Sequence, residues 1–265
     1  MTKLEASTRC FIEAWSFICT RLPRGEVHQL PGFVAAFGRV PVPFFNLCLL
    51  DSPVESEVDL EMRVQGAVRF AAQADVPWLL ALCDEWLPAS ADDICRNHGL
   101  EPKLTLVAMA AENLAVPRRP LPELRYERAV RQELYDLMAQ INCRAYGMSE
   151  EMGRSLSVAS LWDASTYPVI GFLEAEPVTC SATIPVGGIL YVGWVATIPE
   201  HQRKGYAEAV MRKSLEIASA DSGFSTTWLH ATEAGFPVYS AMGYEPTARF
   251  TLYSAPAAAE TASSG

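Results

Sequence analysis

The 265-residue sequence lacks an apolar run of the roughly eighteen residues that a membrane helix needs. Its first segment, MTKLEASTRCFIEAWSFICT, places Glu5 and Glu13 among apolar residues, which favours an amphipathic surface helix over a secretory signal. Basic residues are in the minority, with 21 Lys and Arg against 31 Asp and Glu and a net charge of −10. This balance disfavours nucleic acid as a partner and is compatible with a cationic or amine partner. We expect no membrane partner.

The sequence also lacks any pair of cysteines spaced as CxxC, although it contains seven cysteines. Their odd number and scattered positions fit neither a disulfide framework nor a zinc site. We therefore predict buried free thiols, a cytoplasmic location and no bound metal.

Prolines are concentrated in one segment, AVPRRPLPELR. Prolines at this density exclude the interior of a helix or of a central strand, so we predict a stiff connector over 117–123. The connector would separate an N-terminal domain, 1–116, from a C-terminal domain, 124–254. The small and polar residues of 255–265 predict a disordered tail.

Apolar periodicity predicts alternating helices and strands on both sides of this connector. Before it, we predict helices near 3–21, 60–74 and 90–98, and strands over 43–51, 77–83 and 103–111. After it, we predict strands over 124–130, 167–176, 178–184, 187–198, 226–231 and the final segment, and helices over 130–146, behind Ser149, 206–220 and 236–242. This order indicates an α/β (α+β) fold with helices packed on a mixed sheet.

Two segments of the chain end in the same way. GLEPKLTLVAMAA begins at Gly99 and GYEPTARFTLYSA begins at Gly243, and each reads as a glycine-ended helix, a Glu-Pro turn and an alternating strand. The echo continues upstream, where WLLA begins at Trp78 and WLHA begins at Trp228. The ordered matches indicate an internal duplication.

A polar loop, QRKGYA, connects the long apolar strand GGILYVGWVATI to a helix. Such a junction offers unpaired backbone N–H groups and the positive end of the helix to an anion. Gly205 permits close approach of the backbone, and Ala207 keeps the first helical turn free of bulk. Arg203 and Lys204 add positive charge, so the loop is predicted to hold a pyrophosphate.

Over residues 124–253 the sequence resembles the GNAT superfamily of acyl-CoA-dependent N-acetyltransferases, whose signature matches Gln202-x-x-Gly205-x-Ala207. The resemblance implies a mostly antiparallel twisted sheet flanked by helices, and acetyl-CoA as cosubstrate. It implies transfer to a small-molecule or peptide primary amine by direct attack in a ternary complex. The cofactor-binding residues that it implies are Val195, Ala196, Thr197, Gln202, Arg203, Lys204, Gly205, Tyr206, Ala207 and Thr232. Many members carry asparagine where this chain has Thr232.

A second match is the helix tyrosine Tyr239 in FPVYSAMGYEP, which precedes Gly243 and Tyr244. Acyl transfer from CoA expels a thiolate, and a phenol of pKa near 10 can supply its proton, so Tyr239 is the candidate general acid. No motif chooses among the candidate general bases, which are Glu174, Glu176, His230 and Glu233. Tyr146 and Trp162 belong to helices that border the acceptor site in the family, but aromatic residues at such spacing are mostly core, so neither joins the predicted site.

The first half of the chain lacks both the basic anion-binding loop and the helix tyrosine. Its acidic residues Glu55, Glu57, Asp59 and Glu61 would repel a pyrophosphate. The nearest motif fragment, Arg63-x-x-Gly66-x-Val68, ends in a β-branched residue, and Cys95 stands where the tyrosine would be. We interpret this half as a degenerate GNAT-like unit that serves as a partner for the sheet, a wall of the acceptor pocket or a dimer surface.

Two other functions are considered beside the enzyme. A non-catalytic acyl-CoA-binding sensor or scaffold remains the alternative, because no general base is assigned. A generic nucleotide-binding module is disfavoured, because no Gly-Lys-Ser/Thr follows the loop. The sequence leaves open whether the chain forms a homodimer.

Overall fold

The computed structural model describes residues 2–256; most of the predicted tail, 257–265, lies outside them. Its helices are α1 (Lys3–Cys19), α2 (Glu57–Ala71), α3 (Ala91–Asn97), α4 (Gln132–Tyr146), α5 (Glu150–Leu156), α6 (Tyr206–Ser222) and α7 (Phe236–Ala241). Its strands are β1 (Glu26–Leu30), β2 (Phe33–Phe37), β3 (Asn46–Leu50), β4 (Leu79–Cys83), β5 (Glu101–Ala111), β6 (Arg125–Arg128), β7 (Tyr167–Leu173), β8 (Glu176–Val186), β9 (Ile189–Thr197), β10 (Thr227–Ala231) and β11 (Glu245–Ser254). None of the helices over 2–256 is both long and apolar enough to cross a membrane.

Local sequence explains where several helices begin. The Thr2 hydroxyl accepts a hydrogen bond from the amide of Glu5, whose carboxylate accepts one in return from the Thr2 amide, so α1 starts with a capping box. Ser149 caps α5 by accepting from the amide of Met152. The buried face of α1 includes Phe11 and Ile18, at the helical spacing that the amphipathic pattern predicts.

The first half contains one hairpin more than the sequence predicts. Strands β1 and β2 pair around Gly32, whose φ of 77° suits a tight turn. β1 is a polar, partly exposed strand, and all five residues of β2 are buried, so neither shows the alternation that marks a half-buried strand. The strand predicted over 43–51 is also too long, because Pro43–Phe45 forms a short 3-10 turn and β3 begins at Asn46.

All eleven strands of the described residues belong to one sheet, in the order β1-β2-β3-β4-β11-β5-β10-β9-β8-β7-β6. Neighbouring strands are antiparallel except for the pairs β3–β4 and β9–β10, which are parallel. One face of the sheet packs against α1 and α4, and the other packs against α2 and α3 in the first half and α6 in the second. The predicted fold class, a mixed and mostly antiparallel sheet flanked by helices, is confirmed.

The two repeated segments form β5 and β11, and these strands are exchanged between the halves. β5 lies between β11 and β10, and β11 lies between β4 and β5, so each has only strands of the other half as neighbours. Their register is symmetric, since Glu101 pairs with Ser254, Glu245 pairs with Ala110, and Leu106 faces Phe250 at the centre. The division at 117–123 stays a prediction, while the sheet runs through both halves without a break.

We expect Phe250→Ala to lower the free energy of unfolding by about 3–5 kcal/mol, the usual cost of truncating a buried Phe. Phe250 is 1% exposed, pairs with Leu106 and meets the ring of Phe11 edge-on at 5.2 Å. Chemical denaturation of the whole chain measures the loss.

The matched control is Thr105→Ala, an exposed position on β5, which should change stability by less than about 0.5 kcal/mol. A loss below 1 kcal/mol for Phe250→Ala would show that the exchanged strands do not depend on this pair.

Candidate active site

A cavity opens where β9 and β10 separate. The two strands pair only at Leu190–Thr227 and Tyr191–Trp228, and beyond these pairs they enclose a cavity of about 650 Å³. Its lining comes from both halves of the chain, with Trp15, Phe44 and Trp78 contributed by the first half. This volume is in the range of sites for small molecules and cofactors.

A bulge in β9 shapes the second-half wall of this cavity. The pairing with β8 moves from Cys180–Ala196 to Ala182–Gly193, so two residues of β9, Trp194 and Val195, stand opposite one residue of β8. Trp194 has a φ of 51°, a left-handed conformation that is costly for a bulky residue and is found mainly at functional sites.

At the bulge, the Val195 carbonyl accepts a hydrogen bond from a side chain rather than from a neighbouring strand. The hydroxyl of Tyr146, at the end of α4, donates a 2.6 Å hydrogen bond to this carbonyl. Although the Tyr146 residue as a whole is 57% exposed, desolvation of its hydroxyl among packed neighbours raises the pKa of Tyr146 to about 12, with the Cys180 thiol adding to the effect, so the hydroxyl keeps its proton. A ligand amide that reached this carbonyl could replace Tyr146 as its donor or use the second lone pair of the oxygen.

The predicted anion loop connects β9 to α6. Gln202 donates from Nε2 to the carbonyl of Thr197 at 3.2 Å, which fixes the loop to the end of the strand. Arg203 and Gly205 have φ values of 61° and 85°, and Gly205 is the N-cap of α6. No side chain caps this helix, so its first amides remain available for an anion.

The side chains around this loop differ in what they can contribute. Arg203 and Lys204 are exposed, and Lys204 donates to the carbonyl of Glu200. Tyr206 is buried and lies 6.0 Å from the ring of His201, so only its backbone faces a ligand. Ala207, half-buried in the first turn of α6, adds little bulk there.

The remaining predicted cofactor-binding residues lie on β9 and directly after the end of β10. Ala196 and Thr197 are buried, and the Thr197 hydroxyl bonds to that of Thr179 at 2.9 Å, so these two present backbone rather than side chains. Thr232 lines the cavity, and its hydroxyl accepts a 3.3 Å hydrogen bond from the amide of Gly235.

Tyr239 lines the same cavity from α7. It is half-buried, and its ring lies 6.1 Å from that of Tyr244. Burial raises the pKa of the Tyr239 phenol well above its usual value, and the nearby phenols of Tyr146 and Tyr244 raise it further. The phenol therefore stays protonated at neutral pH and can donate a proton into the cavity.

Among the four candidate bases, His230 lines the cavity. Its Nδ1 lies 2.9 Å from the Tyr191 hydroxyl and its ring stacks on Phe11 at 3.9 Å, while its Nε2 is buried without a hydrogen-bond partner among the described residues. Burial lowers the pKa of His230 to about 3, so the imidazole is neutral and a weak base.

The three candidate glutamates are exposed and do not line the cavity. Glu174 lies in the β7–β8 turn, and Glu176 forms an ion pair with His201 at 3.4 Å. Glu233 lies in the segment between β10 and α7. The structure thus brings Tyr239, Thr232 and His230 together and leaves the carboxylates outside.

Sequence reasoning left Tyr146 out of the site, whereas the structure places it in the cavity wall. The sequence feature that could have identified Tyr146 is its position at the end of a helix that borders the acceptor site in the family that the sequence resembles. Trp162 is a core residue, as expected, and packs edge-on against Trp194 at 4.8 Å. No pattern in the sequence indicated that Trp15, Phe44 and Trp78 would join this wall, since their place depends on how the halves assemble.

The corresponding helix end in the first half is closed. Ser56 caps α2 by accepting from the amide of Asp59, and the Asp59 carboxylate pairs with Arg63 at 2.8 Å. The Arg63 guanidinium donates to the carbonyls of Ser52 at 2.9 Å and Pro53 at 3.1 Å. A side chain and a carboxylate therefore occupy the region that is open before α6.

Residues 128–247 match the family model described as an acetyltransferase (GNAT) domain. No curated protein sequence matches the chain significantly.

Solved structures resemble nearly the whole chain. A GCN5-related N-acetyltransferase from Kribbella flavida is 18% identical, with a TM-score of 0.69 over 95% of this chain and 96% of the other. A functionally unknown conserved protein from Staphylococcus epidermidis is 9% identical, with a TM-score of 0.64 over 88% and 95%. A tandem GNAT protein from the clavulanic acid biosynthesis pathway is 12% identical, with a TM-score of 0.52 over 85% and 79%.

Because the sequence identities are this low, the similar structures establish the fold and no more. The family match indicates in addition that 128–247 are similar to acetyltransferases. Residues 128–247 are therefore similar to a GNAT acetyltransferase domain, and the chain has a GNAT fold that extends over both halves of the sheet.

Proposed function

We propose that the chain is an N-acetyltransferase that moves an acetyl group from acetyl-CoA to a primary amine by direct attack in a ternary complex. One observation carries the proposal: the gap between β9 and β10 joins the Val195 carbonyl to the protonated Tyr239 phenol within one cavity. Gln202 connects the uncapped end of α6 to Thr197, at the far end of β9 from the paired residues.

In this proposal the loop before α6 binds the pyrophosphate of CoA. The free amides of the first turn of α6 donate to the phosphate oxygens, and Arg203 and Lys204 add positive charge. A helix N-terminus stabilises an anionic charge by about 0.3–1 kcal/mol, and by up to ~2 kcal/mol when partly buried. The pantetheine arm then follows β9, with an amide that donates to the Val195 carbonyl.

Tyr239 acts as the general acid. The amine nitrogen attacks the thioester carbonyl, the C–N bond forms, and the C–S bond breaks as the thiolate departs. The Tyr239 phenol donates its proton toward that sulfur, whose thiol has a pKa near 8.5. The attacking nitrogen loses one proton as the amide forms, and an equivalent proton returns to Tyr239 from solvent. The raised pKa of Tyr239 keeps the phenol protonated but also makes it a weaker acid, so it first donates a hydrogen bond to the departing sulfur and the proton follows as negative charge develops there.

Proton removal from the amine has no assigned residue. An alkyl ammonium of pKa near 10.4 costs about 4.6 kcal/mol to deprotonate at pH 7. His230 is half-buried and weakly basic, and the three glutamates are outside the cavity wall. We therefore propose that the amine enters the cavity as the neutral base, having lost its proton to solvent.

The alternative is a non-catalytic acyl-CoA-binding sensor or scaffold. The weak basicity of His230 favours it, because no strong base lines the cavity among the described residues. The position of Tyr239 in the same cavity favours the enzyme.

We expect Tyr239→Phe to retain CoA affinity and to lower turnover by about 10²-fold, the usual contribution of a general acid. The substitution removes the phenol proton and keeps the ring that packs near Tyr244. Thiol release measures turnover and calorimetry measures binding. Turnover at the wild-type rate, with chemistry limiting, would return Tyr239 to a packing role.

We expect the intact chain to bind about one CoA, and Gly205→Val to abolish this binding. The branched side chain would occupy the space at the start of α6 that the pyrophosphate needs, and the φ of 85° at Gly205 adds backbone strain that the control variant shares. Isothermal titration of the full chain with CoA gives both the stoichiometry and the affinity.

The matched control is Gly188→Val, because Gly188 has a φ of 84° and open space around it in the β8–β9 hairpin. It carries the same backbone strain and should bind CoA as the wild type does. Two bound CoA molecules would mean that the first half holds a working site, and unaltered affinity in a folded Gly205→Val protein would remove the loop from the site.

We expect His230 to make stability depend on pH. Its pKa is about 3 in the folded chain against an ordinary value of 6.5, so below pH 6.5 the unfolded state binds more protons and stability falls. His230→Gln removes this term. The stability advantage of wild type over the variant should shrink by about 2–3 kcal/mol between pH 6.5 and pH 4.5. A constant difference across this range would show that His230 titrates normally.

A further inference from the structure

We propose that the acceptor is a monoamine carried on a bulky apolar group, either aromatic or long aliphatic. This inference rests on the proposed acetyl transfer and identifies the class of its second substrate. It follows from what the first half contributes to the cavity wall.

The first-half wall is built from aromatic and aliphatic side chains. Trp15 on α1, Phe44 and Phe45 in the turn before β3, and Trp78 before β4 all line the cavity, together with Leu104 on β5. These groups offer an acceptor apolar surface, and each aromatic ring that it covers adds to the hydrophobic stabilisation.

The one polar atom of Trp15 is already satisfied. Its indole Nε1 donates a 2.6 Å hydrogen bond to the carbonyl of Phe44, so the ring has no donor left for a polar acceptor. The rings of Trp15 and Phe44 also meet edge-on at 4.9 Å, which holds them in place as a preformed apolar surface.

The charge of the wall excludes a second ammonium group. Among the described lining residues Lys103 is the one charged side chain, and it is positive. No carboxylate of residues 2–256 lines the cavity, and His230 is neutral. A diamine or polyamine would place its second ammonium group either against the apolar wall without a counter-ion or beside the positive charge of Lys103, and both are unfavourable.

Hexylamine and 1,5-diaminopentane provide a matched pair of acceptors, because they have the same number of non-hydrogen atoms and differ by one ammonium group. With acetyl-CoA saturating, thiol release should give a kcat/KM about 10²-fold higher for hexylamine, since the wall offers nothing to a second charge. 2-Phenylethylamine should react at least as well as hexylamine, because the wall is aromatic.

A charge reversal tests the same wall without disturbing the core. Lys103 is exposed, so Lys103→Glu should fold normally and place a carboxylate on the cavity wall. We expect it to raise kcat/KM for 1,5-diaminopentane relative to hexylamine by about 10-fold. The control is Lys3→Glu, the same change of charge at a side chain that is 79% exposed outside the cavity, which should leave the ratio unchanged.

The outcomes separate the two proposals. A protein that acetylates 1,5-diaminopentane as well as hexylamine, or whose preference is the same in Lys103→Glu, overturns the inference about the acceptor and leaves acetyl transfer standing. A protein that binds CoA and acetylates none of these amines overturns the proposed function and this inference with it.

Discussion

The antiparallel pairing of β5 with β11 is the contact on which the rest of the molecule depends. Each strand ends one half of the chain and has its neighbours in the other, so the pairing makes one sheet out of two similar units. It also brings Leu104, on β5, to the wall of the gap that opens between β9 and β10. The cavity is therefore a product of the exchange, with Val195, His230 and Tyr239 of the second half on one side and an apolar wall from the first half on the other.

The two halves share a plan and differ in how one helix end is satisfied. Before α2, Ser56 accepts from a helix amide that an anion would need, and the Asp59 carboxylate paired with Arg63 lies beside it. Before α6, Gly205 holds a left-handed turn and leaves the helix amides without a side-chain cap. The difference is electrostatic, because a helix N-terminus attracts an anion only where its donors are free and no carboxylate competes.

The low polarity inside the cavity shifts the pKa values of Tyr239 and His230 in opposite directions, and it leaves both side chains uncharged. Burial disfavours a charged group, so it raises the pKa of the phenol and lowers the pKa of the imidazole. Both side chains are consequently neutral, so Tyr239 is a hydrogen-bond donor and His230 is a weak base. The same environment suits an acceptor that enters without charge, as the apolar wall around Trp15 and Phe44 also does.

The sequence by itself determined the fold class, the loop before α6 and the tyrosine of α7, because each depends on local spacing of apolar, glycine and aromatic residues. It also indicated the duplication, through the segments at Gly99 and Gly243. Tertiary structure decided the strand exchange, the place of Tyr146 at the Val195 carbonyl and the aromatic wall, since these contacts join residues far apart in the chain. The hairpin β1–β2 also escaped prediction, because burial on both faces of β2 removes the alternation by which a strand is recognised.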